Sequence, residues 1–166
     1  MKLTEAKAEF IQAWGTLGSS WGINRTMSQI HALLIVSPKP MSAEQIMDEL
    51  KISRGNANMN IRALMDWNLV KKQLIPGERK EFFTAGKDIV EVARQIAKER
   101  KRREIDPILE VMESLKKVEG TDQETEDFKK VITELGDFTQ KVESTLDKFI
   151  RSDKNWFYKT AIKLMG

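Results

Sequence analysis

The sequence predicts a mostly α-helical protein with one small β-hairpin, and three observations carry that expectation. Apolar residues recur at three- and four-residue steps through most of the 166-residue chain, the period that lays one stripe along a helix. Two short helical patterns meet at a tight turn, Lys51–Ile52, and each is preceded by a serine suited to capping it, Ser42 and Ser53. A single stretch reads as paired strands, "LVKKQLI" and "EFFTA", around the turn sequence "PGERK".

Composition narrows the function classes. Cysteine is absent and histidine occurs once, which removes disulfide frameworks, thiolate nucleophiles and clusters of His or Cys metal ligands. A Ser/His/Asp arrangement has only His31 to use, and its apolar run "MSQIHALLIV" suits a core or surface histidine better. Acidic residues fall among lysines at helical spacing, as on solvated faces, and no glycine-rich phosphate loop follows a strand. Neither catalysis nor a cofactor or metal site is expected. The longest uninterrupted apolar run, Ala32 to Val36, is far too short for a bilayer, and Met1 to Phe10 lacks the plan of a signal peptide. A cytoplasmic protein is the expectation.

Charge is unevenly spread beneath a net of +3. Residues 39–103 hold 15 Lys/Arg against nine Asp/Glu, whereas 104–166 hold 10 against 14. A basic middle followed by an acidic end is the footprint of a polyanion partner, without distinguishing DNA, RNA and acidic protein.

In chain order, Leu3, Phe10, Trp14, Leu17 and Trp21 mark an amphipathic first helix with a seam-like apolar edge, stopped by Gly22 and Asn24. A second helix runs from about Thr26 to Val36 and ends at "SPKP", since residues before proline avoid the helical region. Ser42 with Gln45 forms a capping box for a short third helix whose apolar face is Ile46, Met47 and Leu50. Ser53 caps a fourth helix reaching about Trp67, with Ala57, Ile61, Leu64 and Met65 toward the core. Asn68 is placed where a left-handed residue ends a helix, before the hairpin.

Helix, helix-turn-helix and hairpin in this order describe a winged helix-turn-helix, whose second helix of the pair enters the major groove of DNA. Three asparagines at alternate positions, Asn56, Asn58 and Asn60, are poor helix formers and ask for a use. On a helical projection Asn56 and Asn60 face outward with Gly55, Met59 and Ala63, while Asn58 lies nearer the buried edge. An outward Asn can pair with N6 and N7 of adenine together, which suits base reading.

The run "ISRGNANMNIRALMDWNLVKK", the wing "PGERKEFF" and the continuation "KERKRREIDPIL" resemble the GbsR-type branch of the MarR-like winged-helix regulators, over roughly Phe10 to Leu115. The resemblance implies a homodimeric, DNA-binding transcriptional regulator, in many relatives a repressor, with some relatives responding to quaternary ammonium osmolytes.

The residues expected at DNA are Ser53, Arg54, Asn56, Met59, Asn60 and Arg62 on the fourth helix, and Arg79 and Lys80 on the wing. Ser53 is first a cap. Arg54, Arg62, Lys71 and Lys72 either meet phosphates or merely solvate the surface. Gly77 turns the wing tip, and Arg79 beside it is the candidate for the minor groove or backbone. "KERKRR", Lys98 to Arg103, reads as a charged helix surface, with contact to flanking duplex as the alternative.

Beyond Gly86 a helical pattern carries Ile89, Ala93 and Ile96, is kinked or restarted at Pro107, and continues through Ile108, Met112 and Leu115. After the loop "EGTDQ", Phe128, Val131, Leu135, Phe138, Val142 and Phe149 repeat near the heptad period, so this helix wants a partner. A last helix, Asn155 to Met165, is expected to dock on the bundle rather than on a membrane. The domain reading is therefore a dimerisation helix at 1–24, a winged helix-turn-helix at 25–86 and a helical dimerisation region at 87–166. The partners expected are double-stranded DNA as an imperfect inverted repeat, a second copy of the chain, and a small-molecule effector against Trp14 and Trp21. A winged fold that binds protein, and non-specific nucleic-acid packaging, are the competing readings.

Overall fold

The computed structural model describes residues 1–20, 22–152 and 162–163. Trp21 and most of the expected closing helix, Asn155 to Met165, lie outside them. The chain divides into two compact units, residues 1–92 and 93–166, the division falling within one helix.

In the first unit, α1 (Leu3–Ser20) and α2 (Arg25–Val36) are joined at Gly22, whose φ of 75° turns the chain, and Asn24 caps α2 by accepting from the Met27 amide at 3.1 Å. α1 meets α2 through Ile11, Gly15 and Gly18, all buried. The absence of side chains there permits the approach: a Cβ on Gly15 would lie 2.7 Å from Gln29 Cγ, and one on Gly18 would run into the Ser28 side chain. The buried line is thus offset from the apolar edge read in the sequence. Leu3 and Leu17 remain 72% and 41% exposed, with Phe10 and Trp14 half-buried between them.

Ser42 and Gln45 make the expected capping box for α3 (Ala43–Leu50): the Ser42 amide donates to Gln45 Oε1 at 2.8 Å and the Gln45 amide to Ser42 Oγ at 3.3 Å. Lys51 takes the left-handed conformation (φ 53°), and its amide donates to the Met47 carbonyl as α3 ends. Ser53 then caps α4 (Arg54–Asp66), accepting from the Asn56 amide at 3.3 Å. Asn68, at φ 55°, ends that helix and starts the sheet, as its position implied.

The wing contains more than a hairpin. Strand β1 (Met41–Ser42), unforeseen because two residues carry no alternation, pairs with β3 (Phe82–Ala85), which pairs with β2 (Val70–Gln73), giving an antiparallel order β1-β3-β2. Met41 faces Phe83 in one register and Lys72 faces Phe83 in the other. The first unit's core joins these parts: Ile30 and Leu34 of α2, Ile46 of α3 and Leu64 of α4 are fully buried, with Ala57, Ile61, Phe83 and Ala85 around them. Met65, read as a core residue, is 37% exposed.

The second unit contains the distal part of α5 (Ile89–Arg100), a π-helical turn at Lys101–Ile105, α6 (Asp106–Leu115) and α7 (Gln123–Arg151). Pro107 explains the π turn, because its ring would clash with the carbonyl four residues back; the wider turn has the Asp106 amide donate to the Lys101 carbonyl instead, and the helix restarts with proline in its first turn. α6 and α7 fold back on each other, with Lys116 and Met112 lying over Gly136. Ile132 and Gly136 form the buried side of α7, while Phe128, Val131, Leu135 and Phe138 are 40%, 52%, 48% and 66% exposed. No described helix is long and apolar enough to cross a membrane.

Candidate nucleic-acid interface

α4 is the second helix of the helix-turn-helix, and its two faces differ sharply. Ala57, Ile61 and Leu64 are buried against the first unit's core, whereas Arg54, Gly55, Asn58, Met59 and Arg62 are exposed, with Ser53 exposed at the start. Met59 is 60% exposed, an apolar side chain on the outer face.

The asparagines are not arranged as the helical projection suggested. Asn60 is buried, at 3% exposure, and its Nδ2 donates to the Asn56 carbonyl at 2.8 Å and to Asn56 Oδ1 at 2.7 Å. The expectation that Asn60 projects outward is overturned: a polar side chain on this face is buried cheaply once its donor is satisfied within the helix. Asn56 is half-buried, with its oxygen engaged by Asn60, so it no longer offers a free acceptor–donor pair. Asn58, read as lying near the buried edge, is instead exposed.

On the wing, Gly77 makes the tip turn at φ 86°, and Arg79 is exposed beside it. The lysines are less free than the sequence implied. Lys80 lies 3.2 Å from Glu44 of α3, and Lys72 pairs with Glu81 across the strands. The Lys80 hydrogen bond, and the charge behind it, hold the Glu44 carboxyl below its ordinary range. Leu74, between the two wing strands, is 76% exposed.

Within "KERKRR", Lys98 is exposed and the other four cations are paired within their own unit. Arg102 and Arg103 reach the buried Glu99 at 2.7 and 3.3 Å, and Arg100 pairs with Glu104. Lys101 sits among Asp106, Glu143 and Asp147 at 2.9, 2.9 and 3.7 Å, and the hydrogen bond to Glu143, then that to Asp106, pushes its ammonium above the ordinary lysine range. Lys101 thus ties the π turn to α6 and α7, while the arginine pairs tie it to the end of α5.

His31 is 2% exposed, with Trp14 tilted against it at a centroid distance of 6.4 Å. Its Nε2 has no hydrogen-bond partner, so it is a core histidine but not a fully satisfied one, and burial drops its pKa to about 4. Among the described residues no group of His, Cys, Asp or Glu could hold a metal ion.

No protein-family model and no curated protein matches the chain. A solved structure described as the crystal structure of a transcriptional regulator superposes with a TM-score of 0.67, over 87% of this chain and 95% of that one, at 17% identity. The likeness is one of fold. The chain has the architecture of that regulator: mostly helical, with a small three-stranded antiparallel sheet forming the wing of a helix-turn-helix.

Proposed function

We propose that the protein is a homodimeric, sequence-specific DNA-binding transcriptional regulator of the GbsR-type, MarR-like kind, without catalytic activity. The observation that carries this reading is the outer face of α4. Its capped start, two cations and one unpartnered amide stand exposed on the helix that such folds insert in the major groove. Asn58 takes over the base-reading role first given to Asn56 and Asn60, because both ends of its amide are available for the N6 and N7 pattern of adenine. Arg54 and Arg62 meet phosphates, and Arg79 serves the wing's contact with the minor groove or backbone.

The apolar residues left uncovered support dimerisation. The exposed line Phe128, Val131, Leu135 and Phe138 keeps the heptad step along α7, and Leu3 and Leu17 add a second apolar edge on α1. A two-fold dimer presents two copies of α4 about one helical turn of DNA apart, so the operator is an imperfect inverted repeat, and the repressor role is the one the family resemblance implies.

Selection of bound fragments from random DNA at two salt concentrations tests the reading. Enrichment of an inverted repeat supports it. Salt-sensitive binding without enrichment would support non-specific packaging, and no binding at either salt would overturn the reading and support a winged fold that binds protein.

A further inference from the structure

Between the start of α3, the outer face of α4 and the wing lies an open cavity of about 220 Å³. Glu44, Arg54, Asn58, Lys80 and Glu81 supply its polar groups and Met47 part of its apolar lining. Two of the cations proposed for DNA and the amide assigned to base reading therefore share one groove with two carboxylates, of which Glu81 is paired with Lys72 and Glu44 with Lys80. Glu44 Oε2 accepts from Ser42 Oγ at 3.3 Å and lies 3.2 Å from the Lys80 ammonium. The same Ser42 hydroxyl caps α3, so the carboxylate is tied to the helix start and the lysine is brought to it from the wing.

We propose that Glu44 is a built-in substitute for a DNA phosphate, holding Lys80 in the free protein and releasing it to a backbone phosphate that enters this groove. The inference rests on the DNA-binding reading above and adds a regulatory residue to it. A carboxylate and a phosphate oxygen accept the same charge-assisted bond from an ammonium, so one can replace the other without new geometry. The exchange is cheap. The two side chains are 60% and 46% exposed, and an ion pair so wet contributes little stability. Once displaced, Glu44 repels any phosphate that arrives without the compensating contacts of Asn58 and Arg54. It therefore weakens loose, sequence-independent binding more than binding in register, which is how an added repulsion sharpens specificity.

A double-mutant cycle on the full chain tests this, with a fluorescein-labelled duplex of random sequence titrated at several salt concentrations against wild type, Glu44→Gln, Lys80→Ala and the double variant. Glu44→Gln should bind the random duplex several-fold more tightly and with a salt slope steeper by about one unit, because Lys80 is then free to displace a counterion. Most of that gain should vanish in the Lys80→Ala background. An equal gain in both backgrounds would mean general repulsion by α3 and overturn the latch, as would no gain from Glu44→Gln. Thermal melting of the four proteins checks that each is folded. A wild type that binds no DNA at all would overturn the functional reading itself, a result separable from the failure of the cycle.

Discussion

The Nδ2 of Asn60 donates to both the carbonyl and the side-chain oxygen of Asn56, one helical turn back, at 2.8 and 2.7 Å. This internal pairing divides three asparagines of similar sequence context into one buried brace, one half-engaged amide and one exposed amide. Asn60→Ala should therefore cost stability, on the order of 1 kcal/mol in urea melts, while leaving the operator preference in place. Asn58→Ala should do the reverse, costing about 1–3 kcal/mol on the selected operator, little on random DNA and little in melting. Unchanged preference in Asn58→Ala would remove it as the reader.

Arg79 stands exposed at the wing tip, whereas Lys72 and Lys80 are paired with carboxylates. Arg79→Ala should weaken operator and random DNA alike and make the salt slope shallower by about one unit. Filter binding at graded salt measures it, and an unaltered slope would place the wing away from the duplex.

Leu135 lies 48% exposed in the middle of the apolar line on α7. Leu135→Asp should shift the light-scattering mass from about twice the chain mass to one chain, with helix content retained, since a charge desolvated at a dimer seam is costly. A dimer that survives both Leu135→Asp and Val131→Asp would move the interface elsewhere.

Gly18 has no room for a methyl group, because the buried Ser28 side chain fills the space. Gly18→Ala should destabilise the first unit by about 1–3 kcal/mol, the range for overpacking, and Ser28→Gly in the same chain should recover part of the loss. Additive effects in denaturant melts would show that the two positions do not share that space.

His31 is the sole histidine, and its pKa falls from 6.5 to about 4 on burial. The unfolded chain thus binds a proton that the folded chain refuses between those values. Its contribution to stability is complete above about pH 6.5, declines as pH falls, and is lost by about pH 4, amounting to about 3 kcal/mol. Urea melts across that window should show the decline, and His31→Gln should flatten it down to the range where carboxylates begin to titrate.

The order of elements, both serine caps, the left-handed Asn68 and the heptad line on α7 were legible in the residues alone. Each depends on chemistry within a few positions of chain: a hydroxyl reaching an amide three residues on, a small amide tolerating positive φ, an apolar step matching the helical turn. What surrounds a helix is not written in its own period. Asn60 and Asn58 exchanged roles because the neighbours of α4 decide which flank is covered, and a two-residue strand such as β1 exists only because β3 is there to pair with it. Likewise the charges of "KERKRR" and Lys80 read as free cations until Glu99, Glu143 and Glu44 were brought beside them. Coulomb attraction acts on distance in space, and those distances were set by the folded chain.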